Sequence, residues 1–322
     1  MLVAAIDLGT VSSRLLTARI EDGRVVESTK RTVITDLGEG VDATGRLSDA
    51  AIARVYEAVA GFVREIRAFG PDAVCTTLTS AARDAQNGED LVGKLASLGL
   101  CPQVIPGEIE ARLTFYGVAH DFSGERIAVA DSGGGSTEFA VGAYTPGMPL
   151  ELEGVRSLNI GCRRVTDRFL AGDPPAAEQI DAASAWARDQ FETYWRTCAC
   201  RPDRLVAVGG TVTTLVAMVH KLAVYDSSFV HLHELSLADV QACIDMMSSI
   251  PADKIAELPG IQPKRAPVML GGAVIIRELM RAGGYEALTV SENSLLVGMA
   301  NTIGEVLRGQ MPVIGWTPEL SR

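Results

Sequence analysis

Ile127-Ala-Val-Ala-Asp131-Ser-Gly133-Gly134-Gly135 decides the fold, because it repeats the logic of an earlier stretch, Ala4-Ala-Ile-Asp7-Leu-Gly9-Thr10. In each, an apolar run that ends in Asp reads as a strand, the glycines as a turn, and the residues beyond as a second and then a third strand. The chain is therefore an internal duplication, with Asp7 and Asp131 at matching places. Working outward from the first copy, strands are expected at 2–8, 14–20 and 25–34. Asp22-Gly23 joins the last two as a two-residue hairpin, since this pair tolerates positive φ. Ser48 is a plausible N-cap for a helix with apolar residues at Ile52, Val55, Val59, Phe62, Val63 and Ile66. A strand at 73–78, a helical piece at 91–98, a short strand at 103–105 and a helix entered through Pro106-Gly107 follow. A three-strand meander followed by alternating helices and strands predicts a mixed α/β sheet flanked by helices. In the second copy a strand is expected at 205–208, a helix from Val212, and helices near 237–247, 264–281 and after Glu292.

The 322 residues suit two domains, each able to bury a core. The polar bridge at 121–125 suggests a boundary, giving domains 1–122 and 123–322, and the tail after Gln310 reads as a loosely packed end. Hydrophobic content of 47% and charged content of 21% are those of a soluble globular chain, and no stretch approaches a membrane span. Met1-Leu2 runs straight into an apolar strand with no signal-peptide features, so a cytoplasmic location is expected. A net charge of −11 argues against nucleic acid as the main partner. The six cysteines are scattered, and Cys198-Ala199-Cys200 lacks the spacing of redox or zinc motifs, so free thiols are expected.

Glycine turns between strands expose backbone N–H groups in a concave nest suited to phosphate oxygens. Gly9 and Thr10, then Gly133, Gly134 and Gly135, supply those turns, and the hydroxyls of Thr10, Ser12, Ser13, Ser136 and Thr137 can add donors. The three consecutive glycines carry an entropic cost that a plain hairpin does not require. An Asp just before each turn offers an oxygen ligand to a hard cation. Gly209-Gly210-Thr211 follows an apolar strand and opens a helix, where helix-terminal N–H groups bind anions. Arg163, Arg164 and Arg168 form a basic cluster that reads either as a solvated helix face or as a lead-in for a polyanion. His231 and His233 could share a strand face, with no third metal ligand nearby.

On Ile6–Arg14, Thr79-Ser-Ala-Ala-Arg-Asp-Ala-Gln-Asn87, Pro106-Gly-Glu-Ile-Glu-Ala-Arg112, Asp131–Glu138, Gly209–Thr214 and Pro263–Gly272, the sequence resembles the exopolyphosphatase/guanosine pentaphosphatase (Ppx/GppA) family in a short, two-domain form. The resemblance implies two actin-like (ribonuclease H-like) domains around a central cleft. It implies Glu110 as the catalytic carboxylate that orders or deprotonates water. Asp131 and Glu138 would be ligands of Mg²⁺ or Mn²⁺, with Asp7 reaching it through water, and Arg14 and Arg83 would act on phosphate. The activity implied is release of terminal phosphate from inorganic polyphosphate, with pppGpp or nucleoside triphosphates as other substrates, in a homodimer. A catalytically weak polyphosphate or alarmone sensor and a small-molecule kinase of the same superfamily are the alternatives. Four positions depart from the family pattern: Leu296 and Val297 stand where Arg and Glu are expected, Pro267 where an acid is, and Ser132 where an apolar residue is.

Overall fold

A computed structural model describes residues 1–198 and 201–322, which leaves Cys200 outside the described residues. The chain forms two compact units: Met1–Ser123 with Tyr144–Glu151 and Ser294–Arg322, and Gly124–Ala143 with Leu152–Asn293. The expected break at 122/123 lies one residue from this division, but the chain from Ser294 onward packs with the first unit. Sequence order cannot show such a return, which depends on contacts far apart along the chain.

In the first unit, β1 (Leu2–Leu8), β2 (Ser12–Glu21) and β3 (Arg24–Ile34) form an antiparallel meander. β4 (Ala73–Leu78) runs parallel to β1, and β5 (Pro102–Val104) parallel to β4. The hairpin between β2 and β3 is Asp22-Gly23, with φ of 47° and 80°. These two left-handed residues match the right-handed twist of the flanking strands. β3 lies at the sheet edge and is largely exposed, and its charged residues Arg24, Glu27, Lys30 and Arg31 discourage pairing with another chain. The helix Asp49–Phe69 is capped by the Ser48 side chain, which accepts the Ala51 N–H at 3.1 Å, and it buries the expected apolar face from Ile52 to Ile66. The tail is tied down rather than loose: Leu320–Ser321 pairs with β4, and the Val313 N–H donates to Glu305.

The second unit repeats the plan. β6 (Ile127–Ser132) pairs antiparallel with β7 (Thr137–Ala143), β8 (Glu151–Leu158) lies beyond β7, and β9 (Arg204–Val208) runs parallel to β6. The sheet continues with two strands absent from the sequence reading, β10 (His233–Ser236) at the edge and β11 (Ala287–Val290) next to β9. The helix Cys162–Phe169 carries Arg163, Arg164 and Arg168, as the helix-face reading of that cluster expects, whereas the helix Ala177–Thr197 was not anticipated. Both sheets place the strand carrying the key Asp between its antiparallel partner and a parallel neighbour. At the centre of this unit Glu278 is fully buried and paired with Arg188, Arg277 and Arg281, so its charge is compensated by three guanidinium groups. Among the described residues no helix is long and apolar enough to cross a membrane.

Candidate functional site

The two Asp-glycine turns close with the same hydrogen bond. The Gly9 N–H donates to Ser12 O at 3.0 Å, and the Gly133 N–H donates to Ser136 O at 2.9 Å. In each copy the chain that follows the third strand then folds back onto the turn. In the first unit the N–H groups of Thr35 and Asp36 donate to Val11 O, and that of Gly38 donates to Thr10 O at 2.9 Å. In the second, Cys162 N–H donates to Gly133 O at 3.0 Å, and Arg163 and Arg164 N–H donate to Gly134 O. Each backing segment carries a glycine at its closest approach. A Cβ added to Gly38 would lie 2.2 Å from Thr10 Cγ2, and one added to Gly161 would lie 2.4 Å from the Gly134 carbonyl. The glycine that follows each third strand, Gly38 and Gly161, is the sequence signal of this backing.

The backing fixes which way the turns face. In a trans peptide the C=O of one residue and the N–H of the next point in opposite directions. With the carbonyls of Thr10 and Val11 engaged, the N–H groups of Val11 and Ser12 turn away from the backing segment. The same geometry turns the N–H groups of Gly134 and Gly135 outward. Side chains reinforce the arrangement at matching places, because Ser13 Oγ hydrogen-bonds Thr35 Oγ1 at 2.9 Å and Thr137 Oγ1 donates to Ile160 O at 2.7 Å. These hydroxyls therefore brace the turns in the present structure.

The acidic residues sit differently in the two copies. Asp7 and Arg14 are cross-strand neighbours, and the guanidinium donates to Asp7 Oδ2 through Nε at 2.8 Å and Nη2 at 2.5 Å. At the equivalent register in the second copy, Asp131 faces Glu138. Asp7, Asp131, Glu138 and Glu110 are 0%, 5%, 2% and 6% exposed, so all four carboxylates are withdrawn from water. Glu138 Oε1 accepts a hydrogen bond from Ser157 Oγ at 2.7 Å. Asp131 lies beside the turn after β9, where a Cβ added to Gly209 would be 3.0 Å from its Oδ1.

Arg83, on the short helix Ser80–Asp84, is brought against Glu110 in the first turn of the helix Gly107–Ala119. Its Nη1 donates to Glu110 Oε2 at 2.6 Å and to Ile105 O at 3.0 Å. The residue expected on phosphate thus grips the carboxylate expected on water, a charge-assisted contact that fixes both side chains. Gly209, Gly210 and Thr211 open the helix Gly210–Val219, and the buried Arg265 guanidinium lies on Gly210, within 2.2–2.6 Å of where its Cβ would be. Nothing in the local sequence marks Arg265, because its proximity to the turn is a long-range contact. Tyr225 stands near Thr213, Arg265 and Glu292, and its phenol pKa is pushed up by burial and by the Glu292 charge.

Other expectations resolve differently. His233 begins β10 and its Nε2 meets His220 Nε2 at 2.8 Å, whereas His231 precedes the strand and its Nδ1 accepts the Glu292 N–H. The two do not share a strand face. Leu296 is buried in the helix Leu295–Leu307, where it fills the core. Pro267 occupies the first turn of the helix Ala266–Gly283, where its missing N–H has no intrahelical partner to lose.

Among the described residues no three His, Cys, Asp or Glu side chains group as a closed metal site. Mg²⁺ does not require one, since it binds through one or two carboxylates, retained waters and substrate phosphates. The Asp131–Glu138 pair fits that donor set, because two carboxylates directly opposite one another favour a cation between them. Asp7 Oδ1, buried and accepting no hydrogen bond among the described residues, fits a role through water.

Against known proteins, the Ppx/GppA phosphatase family model matches residues 16–302. Exopolyphosphatase 2 of Mycobacterium tuberculosis is 35% identical over 315 residues, covering 92% of this chain and 97% of the relative. A bifunctional 3-dehydroquinate synthase/phosphatase of Fusobacterium nucleatum is 30% identical over 92% of this chain and 45% of its own length. Among solved structures, an exopolyphosphatase-like protein superposes with a TM-score of 0.86 at 34% identity, over 95% of this chain and all of that one. The Aquifex aeolicus member of the same family gives 0.79 at 30%, over 96% and 98%.

Proposed function

The chain belongs to the Ppx/GppA phosphatase family, and from that premise we propose that it is a metal-dependent hydrolase that releases terminal phosphate from inorganic polyphosphate. The observation that carries the reading is the buried Asp131–Glu138 pair at the base of a triglycine turn whose carbonyls are engaged from behind. Carboxylates next to an anion-binding turn are incompatible with a bare polyanion and compatible with one that arrives with a cation. Asp131 and Glu138 hold Mg²⁺ or Mn²⁺, and Asp7 contributes through water. Bound there, the ion supplies positive charge for the transferred phosphoryl group and its leaving oxygen.

The chain's own residues do the rest. Backbone N–H groups of Thr10, Gly134, Gly135, Gly209, Gly210 and Thr211 bind phosphate oxygens, while Gly9 and Gly133, whose own N–H groups close the turns, shape them together with Ser12, Ser13, Ser136 and Thr137. Glu110 orients the attacking water and accepts its proton. Arg83 holds Glu110 in place and, with Arg14 and Arg265, adds positive charge for phosphate. Pentaphosphorylated guanosine and nucleoside triphosphates present the same terminal phosphoanhydride and belong to the same proposal, as do a cytoplasmic location and a homodimer. Phosphate release across polyphosphates, nucleotides and alarmones, with and without Mg²⁺, tests it. Metal-dependent release from polyphosphate supports the assignment, and no release from any of them at saturating metal refutes it.

One observation favours a second reading. With Leu296 in the core and Val297 beside it, the Arg-Glu pair expected there is missing, and a charged contact of that kind is worth about 1.5–3 kcal/mol. A sensor that binds polyphosphate without turnover would show tight binding and no phosphate release in the same panel.

A further inference from the structure

We infer that Arg164 is a positioning residue for the triglycine turn rather than a surface charge. The carbonyls of Gly133 and Gly134 are taken by backbone donors of the helix Cys162–Phe169, which no side-chain substitution removes. The third carbonyl is different: Arg164 Nε donates to Gly135 O at 2.9 Å. Because the trans peptide places C=O and the following N–H on opposite sides, this one contact turns the Ser136 N–H away from the helix. It completes a row of three outward N–H groups at Gly134, Gly135 and Ser136. In the first copy the engaged carbonyls of Thr10 and Val11 are held by main-chain N–H groups. The third donor of the second turn thus depends on a side chain, and Arg164 also donates its own N–H to Gly134 O, so one residue fixes two successive peptides.

The contact also explains why an arginine suits this position. Its Nε lies inside the planar fork and donates sideways to a carbonyl, a geometry that a lysine ammonium does not reproduce. A loosened Gly135–Ser136 peptide would swing its N–H off the phosphate, weakening a donor whose value depends on being fixed before charge develops.

This inference rests on the phosphate-binding reading of the turn, and the experiment separates the two. Arg164→Gln and the fold-conservative Arg164→Lys are compared with the intact chain for kcat and KM on tripolyphosphate at low and high salt. Amide hydrogen exchange of the segment spanning Gly133–Thr137 and the melting temperature are measured on the same samples. Positioning predicts that Arg164→Gln loses about tenfold in kcat/KM, mostly in kcat, that the loss persists at high salt, and that the turn amides exchange faster while the melting temperature holds. A loss confined to low salt, with exchange unchanged, would make Arg164 a steering charge and overturn the inference. Unchanged kinetics and exchange in both variants would overturn it as well. If the unmodified chain releases no phosphate from tripolyphosphate, the functional reading fails, and amide exchange alone decides whether Arg164 fixes the turn.

Discussion

The β1–β2 turn and the β6–β7 turn share their closing bond and a backing segment led by a close-packed glycine, yet they differ in the charge they bury. In the first, Asp7 is answered across the strand by Arg14, so opposite charges meet at that register. In the second, the same register sets Asp131 against Glu138. Duplication supplied two turns of the same geometry, and one cross-strand position made them unequal. On the proposed function, the copy with an ion pair holds phosphate unaided, while the copy with two carboxylates calls for a cation.

The largest effect that sharpens this contrast concerns the proton. On this account the carboxylates of the second unit hold metal and Glu110 of the first serves water. Glu110→Gln should therefore cut kcat by about 10²-fold or more while polyphosphate binding survives, because the amide keeps the shape. Calorimetric binding beside phosphate-release kinetics checks it, and an unchanged kcat removes Glu110 from the mechanism.

Stability in metal-free buffer should break the symmetry next. Asp7→Asn removes the fully buried carboxylate that the Arg14 guanidinium grips, at a cost of about 3 kcal/mol. Glu138→Gln removes a charge facing another of the same sign and should cost distinctly less. Urea unfolding of the two variants measures the difference, and equal losses would mean that the contrast carries no energy.

Acid should distinguish the units as well. In the first unit His120 is packed against the rings of Tyr116 and Tyr144, and neither of its ring nitrogens has a hydrogen-bond partner among the described residues. Burial, and then the charge of Arg24, lower its pKa to about 4. The native state thus resists a proton that the unfolded chain accepts near pH 6.5. Stability from this group is fully present above that pH and is lost as pH falls from about 6.5 toward about 4. Denaturant midpoints at pH 7 and 4.5 should differ more in the unmodified chain than in His120→Gln.

The smallest effect lies one residue beyond Asp131. Leu8 packs in the core of the first unit, but its counterpart Ser132 buries a hydroxyl with no hydrogen-bond partner among the described residues. Ser132→Ala should stabilise by about 1 kcal/mol, read as a higher denaturant midpoint. A loss of stability would show that the hydroxyl is satisfied in solution.

What was legible in the sequence was local. Asp22-Gly23, Ser48 and the two Asp-glycine turns announce themselves because backbone sterics and capping act within a few residues. The strand 73–78 and the apolar face of the helix Asp49–Phe69 followed from periodicity for the same reason. The return of Ser294–Arg322 to the first unit, the Leu320–Ser321 pairing, the placement of Arg265 on Gly210 and the grip of Arg83 on Glu110 are long-range contacts with no local signature. β11 is four residues long, too short for its alternation to stand out. The contact of Arg164 with Gly135 O has no local signature for a related reason, since a basic residue in a helix looks solvated until the carbonyl it meets is known.

The most direct test of the account is a magnesium titration of phosphate release at fixed polyphosphate, with circular dichroism to confirm folding of each variant. Asp131→Asn and Glu138→Gln should each raise the half-maximal Mg²⁺ concentration by about tenfold, since a neutral oxygen replaces a charged ligand of a hard cation. Asp7→Asn should shift it far less. An unchanged magnesium requirement in both Asp131→Asn and Glu138→Gln, or a larger shift in Asp7→Asn than in either, would contradict the assignment of the cation to the second copy.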